Sequence, residues 1–195
     1  MSGSRLLTWP QFQERAKGIR LLVLDVDGVL TNGQITYTES GEELKHFNVK
    51  DGQGINFWNQ KEGRHTAIIT ARQSNIVLKR ATELGIEHVF QKEKKKLERL
   101  NALVQTLGIP MTSVAYMGDD WPDMECLAQV GLATCPLNAV PEVQQLSHWV
   151  APVNGGDGAV RALVQHLLDG QGLLPVLPVL PLPPEDSEPQ EPVLP

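Results

Sequence analysis

The sequence contains little cysteine, with only Cys126 and Cys135 among its 195 residues. They lie nine positions apart and form no Cys-x-x-Cys pair. This count is too low for a disulfide framework, and the spacing is wrong for a cysteine zinc site. We therefore expect two reduced thiols and a cytoplasmic protein.

Long apolar runs and an excess of basic residues are also missing. No stretch of 18 residues is uninterruptedly apolar, and near the start only Leu6 and Leu7 stand together before polar residues resume. We therefore expect neither a membrane partner nor a signal peptide. Residues 1–170 carry 17 basic against 19 acidic side chains, which does not support nucleic-acid binding as the main role.

Proline is concentrated at the end of the chain. Residues 171–195 contain eight of the 14 prolines, four acidic residues and no lysine or arginine. We divide the chain into an N-terminal lead-in (residues 1–18), one domain (residues 19–170) and a Pro-rich acidic tail (residues 171–195). Because such a tail cannot bury a core, we expect it to be disordered, and docking onto a partner or neighbouring subunit is the alternative.

Short apolar runs alternate with segments of helical periodicity. This pattern predicts an α/β domain of Rossmann-like type, with a mostly parallel sheet and helices on both faces. The predicted strands cover residues 20–25, 66–70, 87–90, 113–117, 132–134 and 148–151. The predicted helices cover residues 74–84, 96–107, 124–130 and 159–168.

A hairpin interrupts this alternation. Residues 34–38 and 43–48 alternate between apolar and polar side chains and are joined by Glu39-Ser40-Gly41-Glu42. Between Asp27 and Thr70 there is room for this hairpin and one helix, and the 26 positions from Thr70 to Lys96 already hold a helix and a strand. We therefore expect no cap domain, and a site that is open unless another subunit covers it.

Two acidic clusters follow buried strands. Asp25 and Asp27 end the first strand, and Asp119, Asp120 and Asp123 follow the strand at 113–117. Ligands of open α/β sheets bind at the carboxyl ends of the strands, and oxygen-rich clusters suit Mg²⁺. Some of these acids could instead cap the next turn, but there are more of them than capping requires.

Two further strand ends offer groups that bind phosphate. Thr70, Ala71 and Arg72 close the strand at 66–70, and Lys96 opens a helix after the strand that ends at Phe90. A hydroxyl, backbone N–H groups, a guanidinium and an ammonium are the usual partners of phosphoryl oxygens.

These four motifs, in this order, resemble those of the haloacid dehalogenase (HAD) phosphatase superfamily. The resemblance implies that Asp25 accepts a phosphoryl group and that Asp27 is the general acid and base. It implies that Thr70 and Lys96 hold the phosphoryl oxygens, and that Asp120 and Asp123 orient Lys96 and metal-bound water. Mg²⁺ would be held by Asp25, the main-chain carbonyl of Asp27 and Asp119. Because dehalogenases lack the second aspartate, Asp27 favours phosphate-ester hydrolysis.

The string GEELKHFNVKDGQGI (residues 41–55), with HTAIITAR, VAYMGDDWPD and GGDGAVR, resembles the uncapped 3-deoxy-D-manno-octulosonate (Kdo) 8-phosphate phosphatases. That family implies a cytoplasmic, Mg²⁺-dependent homotetramer that releases Kdo for lipopolysaccharide synthesis. The substrate-binding residues that it implies are Asp27, Asn48, Val49, Lys50, Asp51, Gly52, Arg72, Arg80 and Lys96. The alternatives are a phosphatase for another ulosonate, such as a sialate-like 9-phosphate, and a catalytically silent HAD-like oligomerisation domain.

Overall fold

A computed structural model describes residues 5–175, and in that part of the chain strands and helices alternate as the sequence predicts. The strands are β1 (Leu21–Leu24), β2 (Thr36–Tyr37), β3 (Glu43–Leu44), β4 (His65–Ile69), β5 (His88–Phe90), β6 (Val114–Met117), β7 (Leu132–Cys135) and β8 (Trp149–Val150). The helices are α1 (Trp9–Lys17), α2 (Val49–Asn59), α3 (Asn75–Glu83), α4 (Lys96–Leu107), α5 (Met124–Gln129), α6 (Pro141–Leu146) and α7 (Ala159–Gly170).

Six of the strands form one parallel sheet in the order β5-β4-β1-β6-β7-β8. All four residues of β1 are buried, as expected for a strand covered on both faces. Because β4 and β6 flank β1 in parallel, the residues that follow these three strands meet at one edge of the sheet.

The helices cover both faces of this sheet. On one face, residues of α1, α2, α3 and α7 pack with Leu22 and Leu24 of β1. On the other face, residues of α4, α5 and α6 pack with Leu21 and Val23. The alternation of side chains along β1 thus serves two cores, and the predicted α/β class with helices on both faces is confirmed.

The predicted hairpin is present as a separate two-stranded sheet. Tyr37 pairs with Glu43 and Thr36 with Leu44, and Gly41 adopts a positive φ of 84° in the turn. Only this hairpin and α2 occupy the chain between β1 and β4, so no cap domain is inserted there.

Helix α2 contains two glycines that let it pack closely on its neighbours. A Cβ at Gly52 would lie 2.3 Å from Nη2 of Arg80, and one at Gly54 would lie 3.2 Å from Cδ of Arg161. Glycine lowers helix propensity, which weakens the helical signal of this segment in the sequence. Close tertiary packing offsets that cost.

Three of the described helices lie outside the four predicted ranges: α2, for which the sequence analysis only left room, and α1 and α6, which it did not anticipate. Helix α1 lies within the segment assigned to the N-terminal lead-in, and it buries Phe12 and Ala16 against the core. Thr8 caps it, with its N–H donating to Oε1 of Gln11 at 2.9 Å. Helix α6 has only six residues and begins at a proline. Both are short and largely polar, so packing rather than periodicity identifies them.

The residues that follow α7 return to the amino edge of the sheet. Nε2 of Gln171 donates to the carbonyls of Ala16 at 2.8 Å and Ile19 at 2.9 Å. Oε1 of Gln171 accepts from Nε of Arg64 at 2.9 Å. Leu173 packs against the core. The rest of the segment predicted as a disordered tail, residues 176–195, lies outside the described residues.

Both cysteines are buried and unpaired. Burial raises the pKa of Cys126 to about 12 and that of Cys135 to about 11. Among the described helices, none has the length and apolar character needed to cross a membrane.

Gln171 should stabilise the domain because it satisfies two carbonyls next to β1. We expect Gln171→Ala to lower the free energy of unfolding by about 1–3 kcal/mol, since partly buried acceptors lose their donor. Chemical denaturation would measure this. Gln105→Ala, at an exposed position of α4, is the control and should change stability by less than about 0.5 kcal/mol. Equal effects would contradict this role.

Candidate active site

The predicted catalytic residues lie at the carboxyl edge of the sheet. Asp25 follows β1, Thr70 follows β4, Asp119 follows β6 by two residues, and Lys96 is the first residue of α4. Asp25, Thr70 and Lys96 are buried, with relative exposures of 8%, 3% and 2%. β1, β4 and β6 end in the buried apolar residues Leu24, Ile69 and Met117, so the first polar side chain after each strand is held at the edge.

Lys96 connects the two acidic clusters. Its Nζ lies 2.8 Å from Oδ2 of Asp25 and 2.7 Å from Oδ1 of Asp123. The hydroxyl of Tyr116 also donates to Oδ1 of Asp123, at 2.6 Å. A buried ammonium requires such partners because an unpaired charge costs several kcal/mol in the interior.

The shared burial changes the acidity of these groups. Burial and the nearby Asp123 raise the pKa of Asp25 to about 6, although Lys96 opposes the shift. Burial alone would lower the pKa of Lys96, but Asp25 and Asp123 outweigh it and the net shift is upward. Lys96 is therefore a permanent cation beside Asp25 at neutral pH.

Asp25, Asp119 and Asp123 bring carboxylate oxygens within 4.8 Å of one another. The oxygens of Asp123 are already used: Oδ1 accepts from Lys96 and Tyr116, and Oδ2 accepts from the N–H of Asp119 at 3.2 Å. Oδ1 of Asp119, by contrast, is buried without a hydrogen-bond partner. Burial and the carboxylates of Asp25, Asp123 and Asp120 raise the pKa of Asp119 to about 8.

This arrangement fits a hard divalent cation. An unpartnered carboxylate oxygen among other carboxylates is an unfavourable feature that a bound Mg²⁺ relieves, and oxygen ligands are those that Mg²⁺ prefers. Asp25 and Asp119 belong to the predicted metal set, and the main-chain carbonyl of Asp27 remains a prediction. Asp123, which the sequence does not place in that set, lies close but serves Lys96.

The carboxylate of Asp27 points toward the hairpin and the loop after β4. Its Oδ1 forms a close ion pair with Nζ of Lys45, and its Oδ2 lies 3.9 Å from Nη1 of Arg72. Glu43 completes the group, with Oε1 at 2.6 Å from Nη2 of Arg72 and 3.4 Å from Nζ of Lys45. We call Asp27, Glu43, Lys45 and Arg72 the hairpin charge cluster.

The sequence reasoning missed Lys45 and Glu43. Glu43 opens β3 and Lys45 follows its last residue; because side chains alternate between two faces in extended backbone, residues 43 and 45 share a face. That alternation is the signal that could have placed them together. Only the fold shows that this face meets Asp27.

The predicted substrate segment, residues 48–52, forms the start of α2. Asn48 caps the helix by accepting from the N–H of Lys50 at 2.8 Å, and its Nδ2 donates to the carbonyl of Gly156 at 3.1 Å. Val49 and Lys50 are exposed. Oδ1 of Asp51 accepts from the N–H of Arg161 at 2.7 Å, so this buried carboxylate faces the start of α7.

Arg80 also approaches this segment. Its guanidinium packs on Gly52, lies 5.9 Å from the ring centroid of Phe47 and is 3.2 Å from Oε2 of Glu83. The buried Nη1 of Arg72 makes no hydrogen bond, and its ion-pair partner is Asp27 at 3.9 Å. The structure thus places two predicted guanidinium groups around the hairpin and α2. Their roles toward a substrate stay predictions.

Comparison with known proteins adds independent findings. The family model of haloacid dehalogenase-like hydrolases matches residues 59–163. The chain is 41% identical over 165 residues to the 3-deoxy-D-manno-octulosonate 8-phosphate phosphatase KdsC of Salmonella typhimurium, covering 85% of this chain and 87% of that protein.

Solved structures are also similar to this chain over more than four fifths of its length. A phosphatase of this name from Moraxella catarrhalis, in complex with magnesium ion, phosphate ion and Kdo, superposes with a TM-score of 0.81 and 39% identity. The match covers 83% of this chain and 92% of that one. A probable YrbI family phosphatase from Pseudomonas syringae superposes with a TM-score of 0.82 and 42% sequence identity. The match covers 85% of this chain and 93% of that one.

The raised pKa of Asp119 predicts a pH-dependent stability in the presence of a chelator. Because the folded-state value of about 8 exceeds the ordinary 3.8, the folded state loses stability as pH rises from about 4 through about 8. We expect Asp119→Asn to remove this loss, and to be more stable than wild type above pH 8 by about 1–3 kcal/mol.

Thermal unfolding at several pH values, with chelator and then with Mg²⁺, would measure both effects. Mg²⁺ should raise the melting temperature of wild type and not that of Asp119→Asn. Glu142→Gln, at an exposed position of α6, is the control and should behave like wild type. Equal stabilisation of Asp119→Asn by Mg²⁺ would exclude Asp119 as a ligand.

Proposed function

The chain belongs to the haloacid dehalogenase-like hydrolases and, within them, to the Kdo 8-phosphate phosphatases, and from this membership we propose that it hydrolyses 3-deoxy-D-manno-octulosonate 8-phosphate to Kdo and phosphate. The observation that carries the proposal is the joint position of Asp25, Asp27 and Lys96 at one sheet edge. Such a set supplies a nucleophile, a general acid and a fixed cation for a phosphomonoester.

The reaction proceeds in two displacements. In the first, a carboxylate oxygen of Asp25 forms a bond to phosphorus, the ester P–O bond breaks, and Asp27 gives its proton to the leaving sugar oxygen. In the second, water attacks the aspartyl-phosphate, Asp27 takes the water proton, and the bond between Asp25 and phosphorus breaks. Asp27 ends in its starting state.

The surrounding residues position these groups. The N–H of Val26 donates to Oδ1 of Asp25 at 2.7 Å and fixes the nucleophile, and Asp123 holds Lys96 beside it. Lys96 and Thr70 hold phosphoryl oxygens. Asp25, Asp119 and the main-chain carbonyl of Asp27 would hold Mg²⁺, which supplies charge neutralisation between the nucleophile and the phosphate.

The substrate carries a carboxylate and a phosphate, and the site is bordered by cations suited to both. Arg72, whose buried Nη1 makes no hydrogen bond, and Arg80 lie around the hairpin and α2, and Lys50 is exposed at the start of α2. Asn48, Val49, Asp51 and Gly52 shape that segment. We propose that these residues contact the substrate and that the enzyme is cytoplasmic.

Neither alternative is favoured. Relatives at 41–42% identity over 155–165 residues carry the name Kdo 8-phosphate phosphatase. A silent oligomerisation domain would have no need of the buried Asp25–Lys96–Asp123 set, which is costly to maintain without chemistry.

Phosphate release should test the reaction and its substrate together. We expect wild type with Mg²⁺ to hydrolyse Kdo 8-phosphate in preference to sialate 9-phosphates and hexose phosphates, and to lose this activity with chelator. Asp25→Asn, the matched control, should lose at least about 10³-fold in kcat with its fold retained. Turnover that survives in Asp25→Asn would rule out Asp25 as nucleophile, and a different preferred sugar would rule out Kdo 8-phosphate.

We also propose that the chain forms a homotetramer through its hairpins. Apolar side chains of the hairpin and of the start of α2 are exposed, with Tyr37 at 60%, Ile35 at 54% and Val49 at 79%. Exposed apolar residues gathered on one projection indicate a protein contact. Four copies sharing hairpins would also cover the open site edge.

Light scattering should therefore give the mass of four chains. Tyr37→Lys should reduce the assembly, because it places four ammonium groups in the shared contact, whereas Tyr37→Phe should keep it. A wild-type monomer with full activity would contradict the proposal.

A further inference from the structure

We propose that Lys45 is a positioning residue for Asp27, and that Glu43 holds Lys45 and Arg72 in place for this role. The inference rests on the proposed function, because it takes Asp27 as the group that protonates the leaving oxygen. It adds two residues that the predicted site does not contain, and it gives the hairpin a part in the chemistry of its own chain.

The burial of Lys45 carries the first step. Its side chain is only 2% exposed, yet it comes from a hairpin whose other side chains are largely exposed. A buried ammonium is costly unless carboxylates surround it. Lys45 has two such partners, Asp27 and Glu43, and the first of them is the proposed general acid.

Glu43 joins the two cations of the hairpin charge cluster. One oxygen, Oε1, lies 2.6 Å from Nη2 of Arg72 and 3.4 Å from Nζ of Lys45. Burial would raise the pKa of Glu43, but Ser74, Lys45 and Arg72 outweigh it and lower the value. Glu43 is therefore a fixed anion that links the hairpin to the loop after β4.

The cluster confines the carboxyl group of Asp27 on both sides. Lys45 pairs with Oδ1, and Arg72 faces Oδ2 at 3.9 Å. When Asp27 gives its proton to the leaving oxygen, the Asp27 O–H bond breaks and a carboxylate remains between these two cations. They stabilise that product of the transfer and keep the group oriented for the return proton from water.

This role makes a specific demand on the leaving group. A basic alkoxide or phenoxide needs the proton of Asp27 as it departs, whereas p-nitrophenoxide is stable enough to leave without it. A residue that acts through Asp27 must therefore matter for the first kind of substrate and little for the second. A residue with a merely structural role would affect both kinds equally.

The test uses the full chain with Mg²⁺ and three substrates: Kdo 8-phosphate, phenyl phosphate and p-nitrophenyl phosphate. We expect Lys45→Met to lower kcat/KM by roughly 10²-fold for the first two and by less than about 5-fold for the third. Asp27→Asn should show the same pattern more strongly. Lys45→Arg should recover part of the loss, because it retains the charge.

Glu43→Gln is the second variant and keeps the shape of the side chain if Lys45→Met does not fold. It should show the same dependence on the leaving group with a smaller amplitude. The controls are Glu62→Gln, exposed in the turn between α2 and β4, and Lys79→Met, an exposed lysine of α3. Both should match wild type on all three substrates.

Equal losses on both aryl phosphates would overturn the proposal and leave Lys45 a structural role. A loss confined to Kdo 8-phosphate would also overturn it, because Lys45 would then bind the sugar. The two aryl phosphates contain no sugar, so they test Lys45 even if wild type prefers another sugar phosphate. Failure of the proposed substrate and failure of this inference are thus separate results.

Discussion

The buried ammonium of Lys96 between Asp25 and Asp123 is the interaction on which the rest of the site depends. It joins the residue that follows β1 and the short turn that follows β6 to the start of α4. Removing Lys96 would leave two buried carboxylates without their cation, whereas removing one of the acids leaves Lys96 paired with the other. The strand order places β1 beside β6 and so brings these charged groups together. Their ion pairs in turn stabilise that arrangement of strands. Tyr116 connects this set of charges to the core, because its buried hydroxyl donates a hydrogen bond to Asp123.

The acidic residues at this edge have similar chemistry but different partners, and the partners decide what each can do. Asp123 has both oxygens occupied by Lys96, Tyr116 and backbone N–H groups, so it acts as a support. Asp119 retains a buried free oxygen, which makes it the acid most in need of a cation. Asp27 faces away from this group and toward the hairpin charge cluster. One sheet edge thus holds two groups of charges, one around Lys96 and the other the hairpin charge cluster. They meet at the loop from Asp25 to Asp27, where the proposed nucleophile and the proposed acid stand two residues apart.

Much of the fold could be predicted because buried parallel strands have continuous apolar sequences. The first polar residue after each such run lies at the carboxyl edge of the sheet, where the site is. Asp25, Thr70 and Asp119 were found in this way. What could not be predicted depends on contacts between distant segments. Helix α2 contains Gly52 and Gly54, which weaken its local signal and are needed only because Arg80 and Arg161 come so close. Lys45 looks like an ordinary surface lysine until the fold sets its hairpin against Asp27. The pairing of Asp51 with the start of α7 is equally invisible in the sequence.

The two buried cysteines have a practical consequence. Their thiols are inaccessible and held protonated, so at neutral pH they are poor nucleophiles. The natural sequence therefore provides a chemically silent background for thiol-specific probes, without any need to replace Cys126 or Cys135 and disturb the core around β6 and β7. A single cysteine introduced at the exposed hairpin turn would carry a fluorophore or spin label alone. Movement of the hairpin relative to the sheet edge could then be followed spectroscopically in an otherwise unaltered chain.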